Sequence, residues 1–183
     1  MNKNNYVVIM AGGVGSRFWP VSTKRFPKQF IDMLGTGKSL LRHTADRFQR
    51  LINDENLLVA TNADYVSLVQ EQLPEISMQQ IVPEPAMRNT APCILYSSLK
   101  ISKHNPDAVM AVVPSDHWIK DEDTFCETTA KAFDHCASND VLLTFGIQPT
   151  HAHTGYGYIK AKKGDSIFGK VLEFTEKPDV ETA

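Results

Sequence analysis

The chain has 183 residues, 42% apolar, 22% charged and 9% aromatic, the make-up of an ordinary globular domain, which excludes a disordered or fibrous protein. Nineteen basic against 21 acidic residues give a net charge of −2, so no overall basic excess is present to hold nucleic acid. Apolar runs such as 109–113 and 141–143 fall far short of the roughly 20 residues of a membrane-spanning helix, and the N-terminus carries no apolar leader pattern, so a cytoplasmic protein without membrane attachment is expected. Cys93, Cys126 and Cys136 are odd in number and form no CxxC pair, which signals neither a disulfide framework nor a zinc knuckle and fits a reducing compartment.

Short β-rich runs read as strands, and longer segments with apolar residues three or four apart read as helices. Residues 6–10 are the first strand, followed by a glycine-rich stretch and a basic, proline-punctuated loop to about residue 30. Ser39 caps a helix whose Leu41, Ala45, Phe48 and Ile52 share one face. Residues 57–61 are a second strand, 64–72 a short helix, and 78–82 a third strand that runs into Pro83-Glu84-Pro85. A helix starts at Asn89 or Thr90, with Pro92 tolerated in its first turn. Residues 108–113 are a buried strand, 121–136 a helix with Phe125, Thr129, Phe133 and Cys136 at helical spacing, and 141–147 a further strand. This alternation predicts an α/β fold with right-handed crossovers, a mainly parallel sheet and helices on both faces. Strands at 155–159 and 171–175 with no helix between them imply a mixed, partly antiparallel edge. No repeat, low-complexity tract or linker interrupts the chain, so residues 1–183 read as one domain.

In open α/β sheets ligands bind beyond the carboxyl ends of the strands, and the unusual residues cluster there. After the first strand, Ala11-Gly12-Gly13-Val14-Gly15-Ser16-Arg17 is either a tight turn or a loop whose amides wrap an anionic oxygen. A dinucleotide fingerprint fails because Phe18 stands where its third glycine belongs. Gly37-Lys38-Ser39 mimics the tail of a P-loop, but the leading glycine would fall on Asp32. Arg17 and Lys28, in a segment stiffened by Pro20 and Pro27, are either two cations aimed at one phosphate-sized site or part of a solvated basic loop with Lys24 and Arg25.

Asp116, just past the strand at 108–113, is a candidate ligand for a hard cation such as magnesium or a turn cap, with His117 an orienting hydrogen-bond partner. A zinc site from His117, His151 and His153 lacks a fourth ligand at suitable spacing. Glu84-Pro85 and Arg88-Asn89-Thr90 bracket a rigid loop that would suit a guanine edge, although a proline-rich connection and a helix cap explain the same residues. Gly155-Tyr156-Gly157 and Glu176-Lys177-Pro178 suit sugar hydroxyls and a phosphate, or else a strand bulge and an exposed charge pair.

The loop from Ala11 to Pro20, with Ser22 and Pro27-Lys28-Gln29-Phe30, resembles the signature of sugar-phosphate nucleotidyltransferases, and more narrowly of the bacterial mannose-1-phosphate guanylyltransferase family. Glu84-Pro85 with Arg88-Asn89-Thr90-Ala91-Pro92, Pro114-Ser115-Asp116-His117, Thr144-Phe145-Gly146-Ile147, Thr154-Gly155-Tyr156-Gly157-Tyr158-Ile159 and Phe174-Thr175-Glu176-Lys177-Pro178 follow in the family's order across nearly the whole chain. The resemblance implies a Rossmann-like three-layer sandwich of the nucleotide-diphospho-sugar transferase type, with a mainly parallel mixed sheet. It implies magnesium-dependent transfer of GMP from GTP to mannose 1-phosphate, giving GDP-mannose and pyrophosphate.

Carried onto this chain, the resemblance makes Ala11, Gly12, Gly13, Gly15 and Ser16 the cradle of the nucleotide phosphates, with Arg17 and Lys28 neutralising triphosphate and leaving pyrophosphate. Glu84, Pro85, Asn89 and Thr90 would face the base, and Asp116 would bind magnesium. Tyr156, Gly157 and Glu176 would contact mannose, with Lys177 on its phosphate. A homodimer is allowed; nucleic acid and membrane are not expected partners. Cys93 departs from the family in replacing a usual alanine. The family's catalytic domain continues further and supplies a second metal-binding aspartate, so the domain is expected to be incomplete at its C-terminus. The alternatives are a nucleotidyltransferase for another nucleotide or hexose 1-phosphate, and a non-catalytic module that senses GTP or GDP-mannose.

Overall fold

Four runs rich in Val, Ile and Leu become the strands β1 (Asn5–Met10), β2 (Leu57–Asn62), β3 (Ile81–Glu84) and β4 (Val109–Pro114), all parallel and ordered β3-β2-β1-β4. The structure, a computed structural model, describes residues 1–162 and 166–183. It comprises two units, Met1–Val141 and Leu142–Ala183.

In the first unit each strand is followed by a helix: α1 (Leu40–Gln49), α2 (Val66–Gln72), α3 (Thr90–Ser102) and α4 (Glu122–Ser138). Alternate strand residues point to opposite faces, and the core divides accordingly. Val7, Ile9, Leu57, Val59 and Ile81 pack with Leu41, Ala45 and Phe48 of α1, Val69 of α2 and Phe133 of α4. Val8, Leu58, Ala60 and Val82 pack with Cys93 and Ile101 of α3. This is the expected three-layer α/β arrangement, and burial on both faces is why Leu57 to Ala60 is apolar without alternation. Helix α1 forms as its sequence dictates: Ser39 Oγ accepts from the Arg42 N–H at 3.1 Å, and the stripe of Leu41, Ala45, Phe48 and Ile52 is fully buried.

The order of the strands positions the site. The chain runs from β1 outward through β2 to β3 and then returns past β1 to β4. Its direction reverses at β1, which creates a switch point beyond the carboxyl ends of β1 and β4.

Three expectations are corrected. The strand expected at 78–82 begins only at Ile81, because Ser77 and Gln80 form a capping box that winds Met78–Gln80 into a 3-10 turn. No strand forms over 141–147 among the described residues. A strand needs a ladder and a face to bury, whereas Leu142 and Ile147 are fully or largely exposed. In the second unit β5 (Gly157–Ala161) and β6 (Val171–Glu176) pair antiparallel, with Gly157 opposite Glu176. The antiparallel component is therefore a two-stranded sheet of its own, which corrects the expected antiparallel edge on the parallel sheet.

Candidate active site

Ala11 extends β1: its N–H donates to the Ala60 carbonyl at 2.7 Å. Its own carbonyl accepts from Thr61 Oγ1 at 2.9 Å and from Gln29 Nε2 at 2.8 Å. The same Gln29 amide donates to the Gly13 carbonyl at 2.8 Å, and Gln29 is only 2% exposed. Ala11 is thus a buried anchor whose N–H is spent in the sheet. Beyond it, Gly15 takes the left-handed conformation at φ 61°. A Cβ there would lie 2.6 Å from Ser22 Oγ and 3.0 Å from Lys28 Cγ, so both the conformation and the close approach require glycine. Ser22 Oγ donates to the Val14 carbonyl at 3.1 Å and accepts from the Lys28 N–H at 3.0 Å. The glycine loop and the Pro27-Lys28-Gln29 segment are therefore fastened together at two points.

This fastening brings the expected catalytic side chains to one place. A cavity of about 390 Å³ is lined by Gly13, Gly15, Ser16, Arg17, Lys28 and Asp116, among others. Lys28 Nζ pairs with Asp116 Oδ2, and its ammonium also stands 5.0 Å from the centre of the Phe18 ring. The two charged side chains are about three-quarters buried, at 26% and 24% exposure, so their attraction is screened less than that of a surface pair. Asp116 is aimed from behind. The Ser115 N–H donates to the Met10 carbonyl at 3.1 Å, continuing the β1–β4 ladder, and the Ser115 carbonyl accepts from buried Thr44 Oγ1 at 3.1 Å.

Asp116 supplies hard oxygen donors on the wall of a cavity roomy enough for phosphates. Among the described residues no group of three or more His, Cys, Asp and Glu converges as a metal cage. One carboxylate beside open space is a donor set for a divalent cation that keeps water and takes substrate phosphates as its other ligands.

Glu84, at the end of β3, reaches back toward the loop: its Oε2 lies 3.5 Å from where a Cβ on Gly12 would be. Burial, and then the Glu84 carboxylate beside it, push the Cys93 thiol up to about 11. Pro85 and Asn89, on the β3–α3 connection, and Thr90, the first residue of α3, are exposed and are not among the residues that line the cavity. Asn89 precedes α3 at φ 65° and its side chain makes no capping bond, so the alternative of a helix cap lacks its bond.

Comparison of the whole chain with known proteins identifies its family. A family model described as nucleotidyl transferase matches residues 6–183. The chain belongs to the nucleotidyl transferase family. Mannose-1-phosphate guanylyltransferase of Salmonella montevideo is 42% identical over 187 aligned residues, covering 96% of this chain and 38% of that relative. The protein of the same description from Escherichia coli K12 is 39% identical, again with 38% of its length covered. The chain thus spans less than two-fifths of the curated relatives it matches. The crystal structure of mannose-1-phosphate geranyltransferase from Thermus thermophilus superimposes with a TM-score of 0.87 at 29% identity, covering 98% of this chain and 52% of that one. UDP-glucose pyrophosphorylase in complex with UDP-glucose, at 16% identity and a TM-score of 0.68, shares the fold.

The second unit of this nucleotidyl transferase gathers Tyr156, Gly157, Glu176 and Lys177 at one end of its hairpin. The Lys177 N–H donates to the Tyr156 carbonyl at 3.2 Å, and Lys177 Nζ lies 3.1 Å from Glu176 Oε1. A Cβ on Gly157 would meet the Phe174 ring at 2.6 Å and Glu176 Oε2 at 2.9 Å. All four residues are exposed.

Sequence reasoning gave the supports no role, although Ser22 and Gln29 stand in the signature that carries the resemblance. Gln29, Ser22, Thr44 and Thr61 are buried polar residues bonded to the carbonyls that shape the site. Thr61 closes an apolar strand and Thr44 stands on the buried stripe of α1, and a polar residue at a core position is the signal that finds such groups. Ser22 lies in irregular backbone and Gln29 in a single 3-10 turn, Lys28–Phe30, where periodicity carries no information.

Proposed function

We propose that the chain is the nucleotide-binding part of a mannose-1-phosphate guanylyltransferase, which transfers GMP from GTP to mannose 1-phosphate with magnesium. The observation that carries this reading is the convergence of Arg17, Lys28 and Asp116 on one cavity beneath the glycine loop. The relatives at about 40% identity support the choice of sugar phosphate and base.

In this reading a phosphate oxygen of mannose 1-phosphate attacks the α-phosphorus of GTP in line. One phosphorus–oxygen bond forms to the incoming oxygen as the bond to the β-phosphate bridge breaks, and pyrophosphate leaves with the electron pair. Gly12, Gly13, Gly15 and Ser16 contribute backbone amides around the phosphates. Arg17 and Lys28 neutralise charge that builds on the leaving group, and each well-placed donor of this kind supplies about 3 kcal/mol. Asp116 would hold the magnesium ion, which when bound supplies electrophilic neutralisation of the phosphate oxygens. Glu84, with Pro85, Asn89 and Thr90, faces the guanine, while Tyr156, Gly157, Glu176 and Lys177 receive mannose 1-phosphate. In this reading the three free cysteines suit the cytoplasm.

The test is titration of the chain with GTP, ATP, CTP and UTP in magnesium buffer, together with a pyrophosphate-release assay with mannose 1-phosphate. Saturable binding with a preference for GTP, lost in Lys28→Met, is expected. A chain that binds no nucleoside triphosphate overturns the reading, and GTP binding without turnover in a protein of the relatives' full length turns it into a nucleotide sensor.

A further inference from the structure

The ion pair across the cavity joins two groups with different tasks. Lys28 is assigned to phosphate and Asp116 to the metal, yet each occupies the other. We propose that Lys28 is an internal stand-in cation that keeps Asp116 from binding a free divalent ion until a nucleoside triphosphate draws the ammonium away. The inference rests on the assignment of Asp116 and Lys28 above and concerns the order in which charge enters the site.

Three observations carry it. First, the pair is mostly buried on both sides, at 26% and 24% exposure, so neither charge is well solvated when alone and each holds the other. Second, Lys28 is held over Asp116 in the free protein. Its backbone N–H is bonded to Ser22 Oγ at 3.0 Å, its stem packs where a side chain on Gly15 would clash, and its ammonium stands 5.0 Å from the Phe18 ring centre. Third, Arg17 lines the same cavity but does not pair with Asp116, so the obstruction belongs to Lys28 in particular. A divalent ion approaching Asp116 meets an ammonium already on Oδ2 and like charge at close range. An entering triphosphate offers Lys28 a more highly charged partner and releases the carboxylate. Nucleotide and metal then raise each other's affinity reciprocally, and the free protein ignores metal alone.

The experiment measures Mn²⁺ binding to the whole chain without nucleotide, by titration calorimetry and by the paramagnetic resonance signal of free Mn²⁺. Wild type, Lys28→Met, Arg17→Met and the double variant Lys28→Met/Asp116→Asn are compared, each checked for native melting. Lys28→Met is expected to bind free Mn²⁺ on the order of tenfold more tightly than wild type. Arg17→Met should gain much less, and the double variant should lose the gain. Equal Mn²⁺ affinity in wild type and Lys28→Met, an equal gain in Arg17→Met, or a gain that survives in the double variant overturns the stand-in role. A GTP titration in magnesium buffer separates this from the underlying reading: absence of GTP binding defeats the assignment of the site, whereas an unchanged Mn²⁺ affinity with GTP binding intact defeats only the stand-in.

Discussion

The side-chain amide of Gln29 holds the carbonyl of Gly13 at 2.8 Å from inside the fold. Because it also holds the Ala11 carbonyl, a single planar group sets the path of the loop between them. Gln29→Met keeps the volume and removes both donors; the Ala11 carbonyl keeps its bond from Thr61 Oγ1, and each of the two lost hydrogen bonds costs about 1 kcal/mol. The expected result is a loss of about 2 kcal/mol in urea unfolding, with weaker GTP binding at temperatures where the variant is fully folded. Gln29→Glu should lose more, because its carboxylate faces two carbonyls.

Gly15 and Gly13 separate fold from ligand contact. At Gly15 a methyl group meets Ser22 Oγ at 2.6 Å, in a left-handed backbone, so Gly15→Ala should cost about 2 kcal/mol and disturb the Ser22 bond that places Lys28. At Gly13 an added Cβ meets nothing within 4 Å, so Gly13→Ala should leave stability within about 0.5 kcal/mol of wild type. If phosphate rests against this loop, that methyl still obstructs it. Unfolding and GTP titration of the two variants should show Gly15→Ala failing in both and Gly13→Ala failing only in binding.

The hydroxyl of Thr44, buried on α1, donates to the Ser115 carbonyl at 3.1 Å, one residue before the candidate metal ligand. Thr44→Val preserves the shape and removes the bond, for an expected loss of about 1 kcal/mol. Asp116 loses the brace behind it, so Mn²⁺ affinity measured with GTP present should fall while GTP binding in EDTA stays near wild type. A role confined to packing would lower stability and leave both affinities unchanged.

The parts of this fold visible from composition and spacing are those that depend on local pattern. The apolar stripe of α1 and the continuous run of β2 are written in residues near one another, and Ser39 marks its helix by the bond it makes. The run at 141–147 has the same β-rich character as Val109–Pro114, yet β4 becomes a strand because β1 pairs with it along its whole length, and Leu142 has no buried face to supply. Pairing is a property of the partner and cannot be read from the run itself. The site divides the same way. Arg17, Lys28 and Asp116 stand out as charges beside glycine and strand ends, whereas the contact between Lys28 and Asp116 spans 88 positions of sequence and arises only from the β1–β4 neighbourhood.

Cys93 gives a prediction in pH. Burial, with Glu84 beside it, pushes this thiol up to about 11, above the ordinary value near 8.5. An acid whose value is raised by folding keeps its proton longer in the fold than in the unfolded chain. The stability it contributes is therefore fully present below about pH 8.5 and is lost as pH rises toward 11, with a slope of at most about 1.4 kcal/mol per pH unit. Cys93→Ala removes that dependence, while Cys126 and Cys136 titrate alike in both proteins and cancel in the difference. Urea unfolding of the pair at pH 7.5, 9 and 10 should show the advantage of wild type over Cys93→Ala shrinking step by step. A constant difference over that range would mean that the thiol ionises as readily in the fold as out of it, and that the carboxylate of Glu84 lies too far away to oppose its charge.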